Sequence, residues 1–212
     1  MTASAPLVDL SLSSFADRLA ERTPTPGGGS VAAHLVQLGC ALNAMACRFT
    51  SGPKFVAHEA AMGARVEELE RLRREATPLV DLDTAAYDAV TAAYKLPKTT
   101  DAEREARTRA VQAAMLGALE VPARTLSAAL SALRIAAAAA PDVNANLASD
   151  ALSGVHCLAS AAEAAFYNVR INAASLTDKE LAARRLGACE GELAEVRELF
   201  IRARGAIESR LG

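Results

Sequence analysis

The sequence predicts an all-α protein, a bundle of about six helices of which two are long and each contain one proline. Composition is the first reason, because 51% of the 212 residues are hydrophobic but only 4% are aromatic. Small apolar side chains suit closely packed helices better than sheets. Periodicity is the second, because apolar residues recur at helical spacing along most of the chain and no strand-like alternation competes. No linker divides the pattern, so one domain over 1–212 is expected.

Three helical segments are predicted in the first half of the chain. Serines at the start of 11–22 can cap a first helix. The segment 23–30 contains two prolines and three consecutive glycines, so it should separate that helix from a second over about 30–49. A third pattern covers 54–95 and contains Pro78, which should bend or split it.

Three more helices are predicted in the second half. The segment 96–101 is a clear break, and Thr100 or Asp101 can cap the helix that follows over 102–140. That helix contains a single internal proline, Pro122. A helix that ends near Ser175 follows, and Thr177 or Asp178 can cap the last one.

Charge and cysteine content narrow the classes of function. The 23 basic and 25 acidic residues nearly cancel, so neither nucleic acid nor an anionic membrane is an expected partner. The four cysteines occur singly and are expected to be reduced core thiols. The beginning of the sequence lacks the features of a signal peptide. We therefore expect a cytoplasmic protein.

The glycine-rich segment before the second helix is the first candidate site. Gly27, Gly28, Gly29 and Ser30 leave backbone N–H groups unpaired where a helix N-terminus attracts negative charge. Such a segment can bind a carboxylate, a carbonyl oxygen or a phosphate. It lacks the Lys-Ser/Thr ending of a P-loop, so nucleotide binding is not favoured. A tight turn between helices is the alternative.

Three aspartates after Pro78 form the second candidate site. Asp81 and Asp88 lie within about 40° of each other and of Lys95 on a helical projection, and Asp83 lies about a third of a turn away, near Tyr87. Neighbouring carboxylates can have separated pKa values and perform acid–base chemistry. Asp81, Asp83 and Asp88 are therefore candidate catalytic residues. A solvated polar face is the alternative.

A polar stripe on the next-to-last predicted helix is the third candidate. Asp150 and Asn168 are eighteen residues, or five turns, apart, and Asn172 lies near the same line. Polar groups among small residues are typical of a cleft or a subunit contact. Metal-binding motifs such as Glu-x-x-His are not found, and the three histidines fall in different predicted helices, so no metal site is expected.

Short motifs run through about residues 10–180 in a consistent order. They are Phe15 with Pro24-x-Pro26-Gly27-Gly28-Gly29-Ser30-Val31-Ala32-Ala33, Met45 with Thr50-x-Gly52-x-Lys54, Asp81-x-Asp83-x-x-Ala86-Tyr87, Lys95-Leu96-Pro97-Lys98, Val121-Pro122, Ser149-Asp150 and Asn168-Val169-Arg170-Ile171-Asn172. Together they resemble the formiminotransferase-cyclodeaminase C-terminal domain family, which includes stand-alone methenyltetrahydrofolate cyclohydrolases. Pro53 and the segment 151–154 depart from the family pattern.

The resemblance implies an all-α homodimer with a folate site at or near the subunit interface. It implies a methenyltetrahydrofolate cyclohydrolase that needs no cofactor beyond its tetrahydrofolate substrate. A formimidoyltetrahydrofolate cyclodeaminase is the first alternative, and a non-catalytic helical dimerisation module is the second. Because no formiminotransferase domain accompanies the sequence, the cyclohydrolase is the preferred expectation.

The resemblance also suggests roles for the candidate residues. Asp83, with Asp88 or Asp81, would supply acid–base and electrostatic catalysis. The glycine segment would place backbone donors near substrate oxygens. The pterin would be bound by Asp150, Asn168 and Asn172, and the anionic glutamyl tail by Lys54, Lys95 and Lys98.

Overall fold

The all-α class is confirmed by a computed structural model that describes residues 5–211. Within that range the chain forms seven α-helices and three short 3₁₀ turns, and no strand. The helices are α1 (Leu12–Ala20), α2 (Gly28–Arg48), α3 (Glu59–Ala76), α4 (Leu79–Tyr94), α5 (Asp101–Ala139), α6 (Ala148–Ala174) and α7 (Lys179–Glu208).

Helix boundaries follow the capping residues that the sequence predicts. The side chains of Ser11, Thr100 and Asp178 each accept a hydrogen bond from a backbone N–H in the first turn of the helix that follows. Pro78 accounts for the extra helix, because α3 ends before it and α4 begins after it. Helix α5 instead continues through Pro122 over 39 residues, and a bend there stays a prediction.

The core is organised around close antiparallel packing of α2 against α6. Gly39 lies where a side chain is impossible, because a Cβ there would be 2.6 Å from Cγ of Leu158 and 2.9 Å from the carbonyl oxygen of Gly154. The amide of Asn43 donates to the Gly39 carbonyl at 2.9 Å. The two backbones therefore approach as closely as glycines allow.

Contacts at the two ends of the α2–α6 pair show that the helices run antiparallel. The backbone N–H of Asn144, just before α6, donates to the Thr50 hydroxyl at 3.0 Å, and the Asn144 amide donates to the Phe49 carbonyl at 3.0 Å. At the other end, Gly28 lies beside Asn168. The N-terminus of α2 therefore meets the C-terminal part of α6, and the opposite ends lie about 30 Å away.

Helix α2 also carries an apolar stripe that the fold leaves partly uncovered. None of its members is buried, and Leu38 and Phe49 are 41% and 60% exposed. Helix α2 is long and apolar enough to cross a membrane by length and composition, but 56% of its most apolar window is buried inside the fold. The α2 stripe consists of Val31, Leu35, Leu38, Leu42, Met45 and Phe49, a spacing of four and three residues in alternation.

Substitution of Gly154 tests the α2–α6 contact. A Cβ at Gly154 would collide with the Asn43 amide and lie 3.1 Å from the Gly39 carbonyl oxygen. We expect Gly154→Ala to lower the free energy of unfolding by about 1–3 kcal/mol, as overpacking of a core does. Urea denaturation followed by circular dichroism measures this.

Gly187→Ala on α7 is the matched control. No atom outside the local helix lies within 4 Å of a Cβ built there, so alanine should leave stability unchanged or raise it by up to about 1 kcal/mol. Equal midpoints for wild type and Gly154→Ala would contradict the close packing described above.

Candidate active site

A cleft of about 330 Å³ opens at the N-terminus of α2. It is lined by helices α2, α4, α5 and α6 and by the segment before α2, and Asp83 of α4 is one of its lining residues. Its main lining residues are Pro24, Gly27, Gly28, Gly29, Asp83, Tyr87, Val90, Met115, Ala118, Asn168, Ile171 and Asn172. The structure therefore brings the glycine segment, one of the three candidate aspartates and both candidate asparagines together.

Asp83 is the partly buried carboxyl group of this cleft. The Ser30 hydroxyl lies 2.9 Å from the Val80 carbonyl oxygen and 3.2 Å from Oδ2 of Asp83. Burial raises the pKa of Asp83, and hydrogen bonds from the Ser30 hydroxyl and backbone oppose that rise only in part. A carboxyl group with a raised pKa is a stronger base than an ordinary aspartate and can both accept and return a proton.

The position of Asp83 explains why Gly29 carries no side chain. A Cβ at Gly29 would collide with the carboxyl group of Asp83. Gly27 is the N-cap of α2 and has no side chain to pair with the first N–H groups of the helix. The positive end of the helix dipole therefore points into the cleft beside a carboxyl group.

Asn168 and Asn172 line the opposite wall and have their amide groups oriented by hydrogen bonds. Nδ2 of Asn168 donates to the Ala164 carbonyl at 2.9 Å, and Nδ2 of Asn172 donates to the Ala118 carbonyl at 2.7 Å. Only the NH₂ end of an amide can pair with a carbonyl oxygen, so these bonds define the orientation of both side chains. Each side chain keeps its oxygen available to accept a hydrogen bond from a ligand.

The other two candidate aspartates lie outside the cleft. Oδ1 of Asp81 accepts a hydrogen bond from the Leu7 backbone N–H at 2.7 Å, so this carboxylate holds the segment before α1. Asp88 is exposed. Lys95 caps the C-terminus of α4 and Lys98 follows it, both exposed beyond the cleft.

Lys54 and Asp150 lie at the far end of the α2–α6 pair. Asp150 is in the first turn of α6, eighteen residues before Asn168, which places the two about 27 Å apart along the helix. Lys54 follows the C-terminus of α2. Asp150 therefore cannot contact the same pterin as Asn168 and Asn172 of its own chain, although all three share a helical stripe.

Several cleft residues were not among the sequence candidates. Tyr87 and Ile171, 44% and 69% exposed, form an apolar rim. A helical projection places both near predicted site residues, since Tyr87 is four residues from Asp83 and Ile171 three from Asn168. Met115 and Ala118 reach the cleft only through the packing of α5, which local sequence does not reveal.

Metal-ligand clusters and reactive thiols are not found elsewhere in the described part of the chain. Among residues 5–211, no three His, Cys, Asp or Glu side chains come together in a group that could hold a metal ion. The four cysteines are free thiols, and burial raises the pKa of Cys40 to about 12. A thiol with such a pKa is a poor nucleophile at neutral pH.

Comparison with known proteins shows the family of the chain. Residues 11–191 match the formiminotransferase-cyclodeaminase family. The chain is 37% identical over 201 residues to the methenyltetrahydrofolate cyclohydrolase of Methylorubrum extorquens, covering 94% of this chain and 97% of that protein. A solved structure of formiminotetrahydrofolate cyclodeaminase from Thermotoga maritima superposes with a TM-score of 0.84 at 29% identity, over 95% of this chain and 97% of the other.

Part of the chain also matches part of a larger protein. Formimidoyltransferase-cyclodeaminase of Rattus norvegicus is 38% identical over 117 residues, which are 55% of this chain and 22% of the rat protein.

The raised pKa of Asp83 predicts a specific pH dependence of stability. The unfolded chain ionises Asp83 near its ordinary value of 3.8, whereas the folded chain ionises it only at higher pH. The stabilising contribution of protonated Asp83 should therefore be lost as pH rises from 3.8 through the raised pKa, and Asp83→Asn should gain in stability relative to wild type over that range. Urea denaturation of both proteins between pH 3 and pH 8 measures the difference.

Asp88→Asn serves as the control, since it removes an exposed carboxylate from the same helix. If the advantage of Asp83→Asn over wild type grew toward acid pH instead, the pKa of Asp83 would be lowered rather than raised.

Proposed function

The chain belongs to the formiminotransferase-cyclodeaminase family, and from that premise we propose that it hydrolyses 5,10-methenyltetrahydrofolate to 10-formyltetrahydrofolate in one-carbon metabolism. The observation that carries the proposal is Asp83, a partly buried carboxyl group with a raised pKa, at the N-terminus of α2 in a cleft lined by amide acceptors. A relative that shares almost the full length of the chain is named for this hydrolysis.

Charge complementarity supports the choice of substrate. The methenyl carbon belongs to a cationic amidinium, so an ionised Asp83 in a partly buried site favours its binding electrostatically. The N–H groups of Gly28 and Gly29, in the first turn of α2, have no helical acceptor and can stabilise the oxygen that becomes partly negative after water attacks. Donors and an acceptor thus lie on the same side of the cleft, where the reacting carbon would be placed.

In the proposed reaction Asp83 acts first as a base and then as an acid. Asp83 removes a proton from water as the oxygen bonds to the methenyl carbon. The protonated Asp83 then delivers that proton to N5 as the carbon–N5 bond breaks. The new hydroxyl group loses its own proton to solvent and becomes the formyl carbonyl, so the reaction releases one proton overall. A raised pKa suits both steps, because the group must bind and lose a proton in each cycle.

The remaining cleft residues suit the rest of the folate. The free oxygens of Asn168 and Asn172 can accept hydrogen bonds from the donor-rich edge of the pterin. Tyr87 at the rim can pack against an aromatic ring. Lys95 and Lys98, which are exposed at the end of α4, can attract the glutamyl carboxylates through their positive charge.

Ammonia release is the second candidate reaction, because the solved structure that covers 95% of this chain is named a formiminotetrahydrofolate cyclodeaminase. In that reaction N10 attacks the formimino carbon and ammonia leaves, so the same carboxyl group would move the protons. Assays of methenyl and formimino substrates in parallel separate the two activities. A module that only dimerises would need neither a partly buried carboxyl group nor a glycine at position 29.

We also propose that the protein acts as a homodimer through the α2 stripe. Six apolar residues, none of them buried, at a spacing of four and three along about 27 Å of helix are typical of a helix–helix interface. Two-fold pairing of antiparallel α2 helices would place the C-terminal end of one α2 beside the N-terminal end of the other. Lys54 and Asp150 of a second copy would then approach the cleft that their own chain cannot reach.

Acid–base hydrolysis of an amidinium needs no further catalyst, so we propose that the enzyme uses no cofactor beyond its folate substrate. A cytoplasmic location is proposed from the composition of the chain.

Asp83→Asn tests the catalytic assignment. The amide keeps the size of the side chain but can neither accept the proton nor balance the amidinium charge, so kcat should fall by about 10²–10⁴. Loss of the methenyl absorbance with purified protein measures this. In wild type, kcat should decline as pH falls through the raised pKa of Asp83, and the variant should lack that decline.

Asp88→Asn is the matched control and should turn over within about twofold of wild type, because Asp88 is exposed and away from the cleft. Wild-type activity in Asp83→Asn would exclude the proposed mechanism.

The proposed dimer, in which residues of a second copy complete the cleft, gives a second test. Leu38→Glu places a charge in the α2 stripe and should yield a helical monomer by light scattering, with activity reduced. Ile201→Glu is the control, since Ile201 is 70% exposed on α7, outside the α2 stripe, and should stay dimeric.

Co-expression of two inactive chains, Asp83→Asn and Asp150→Asn, distinguishes a composite site from a site within one chain. Mixed dimers would contain one intact site, so activity should recover to about a quarter of wild type. No recovery, or full activity of Asp150→Asn alone, would exclude the contribution of the second copy while leaving the dimer itself open to the light-scattering result.

A further inference from the structure

Pro122 is buried in the interior of α5, where a proline is unfavourable. Its nitrogen carries no hydrogen, so the carbonyl oxygen four residues earlier has no helical donor. That carbonyl belongs to Ala118, a residue of the cleft wall. A carbonyl oxygen in such a position requires another donor.

The donor comes from a different helix. Nδ2 of Asn172, on α6, lies 2.7 Å from the Ala118 carbonyl oxygen. Asn168 differs in this respect, because its amide donates to the carbonyl of Ala164, four residues earlier in its own helix, at 2.9 Å. The orientation of Asn172 therefore depends on a carbonyl made available by Pro122, whereas that of Asn168 does not.

We propose that Pro122 is a positioning residue that acts through Asn172. By removing one hydrogen bond from α5, it gives Asn172 an acceptor for its NH₂ group and so directs the Asn172 oxygen toward the substrate. The proposal rests on the proposed function for its substrate, but the hydrogen bond at its centre is independent of any reaction. A proline that served only to shape α5 would have no specific link to Asn172.

Pro122→Ala restores a backbone N–H that competes with Asn172 for the Ala118 carbonyl. We expect KM for methenyltetrahydrofolate to rise about 3- to 10-fold, the effect of one weakened hydrogen bond, with kcat nearly unchanged. Thermal stability should hold or increase, because alanine is the better helix former. A structural defect would instead lower stability and kcat together, and that result would overturn the proposal.

A double-mutant cycle tests the coupling. In an Asn172→Ala background, Pro122→Ala should change KM by less than about twofold, because the side chain through which Pro122 acts is absent. An equal effect of Pro122→Ala in both backgrounds would overturn the proposal.

A spectroscopic measurement separates this proposal from the assigned reaction. The side-chain NH₂ signals of Asn172 and Asn168 can be identified by their loss in the respective alanine variants. Pro122→Ala should speed hydrogen exchange of the Asn172 NH₂ group and leave that of Asn168 unchanged. An unchanged Asn172 signal would overturn the proposal even in an active enzyme, whereas the expected change in a protein without cyclohydrolase activity would uphold it and exclude only the reaction.

Discussion

The close approach of α2 to α6 is the contact on which the rest of the structure depends. Gly39 and Gly154 leave room for the side chains of Leu158 and Asn43 and let the two backbones approach closely, and this contact sets how far each helix extends past the other. The N-terminus of α2 is thereby placed beside Asn168 and Asn172. Helix α4 then packs across α2 through Ser30 and brings Asp83 to the same point. One backbone contact thus positions groups from three helices.

The cleft obtains its polar groups by leaving helical hydrogen bonds incomplete. The first N–H groups of α2 have no helical acceptor, and the Ala118 carbonyl lacks its usual donor. The Ala118 carbonyl is paired with Asn172, whereas Gly27, Gly28 and Gly29 carry no side chain, so a ligand can approach the backbone at the start of α2. The use of backbone groups in place of side chains explains how a bundle that is only 4% aromatic can still form a polar site. It also explains why the site lies at helix ends and at a proline rather than along a regular helix face.

Much of the fold could be predicted from the sequence because its signals are local. Ser11, Thr100 and Asp178 cap the helices that the pattern indicates, and Pro78 divides one of them. The site was predictable only in part. A helical projection shows that Asp150 and Asn168 share a face but not that the rise of the helix separates them by about 27 Å. It likewise cannot show that the Asp81 carboxylate binds the Leu7 N–H, since that contact spans 74 residues of sequence.

The Ser30 hydroxyl has a single hydrogen, so it can donate to only one of its two neighbouring oxygens at a time. With Asp83 protonated, the hydroxyl can donate to the Val80 carbonyl and accept from the carboxyl group. Once Asp83 ionises, the carboxylate is the stronger acceptor and draws that hydrogen away from Val80. A bond between α2 and α4 is therefore exchanged each time the proton moves. The charge state of Asp83 thereby decides which oxygen of α4 pairs with the first turn of α2, that of Val80 or that of Asp83 itself.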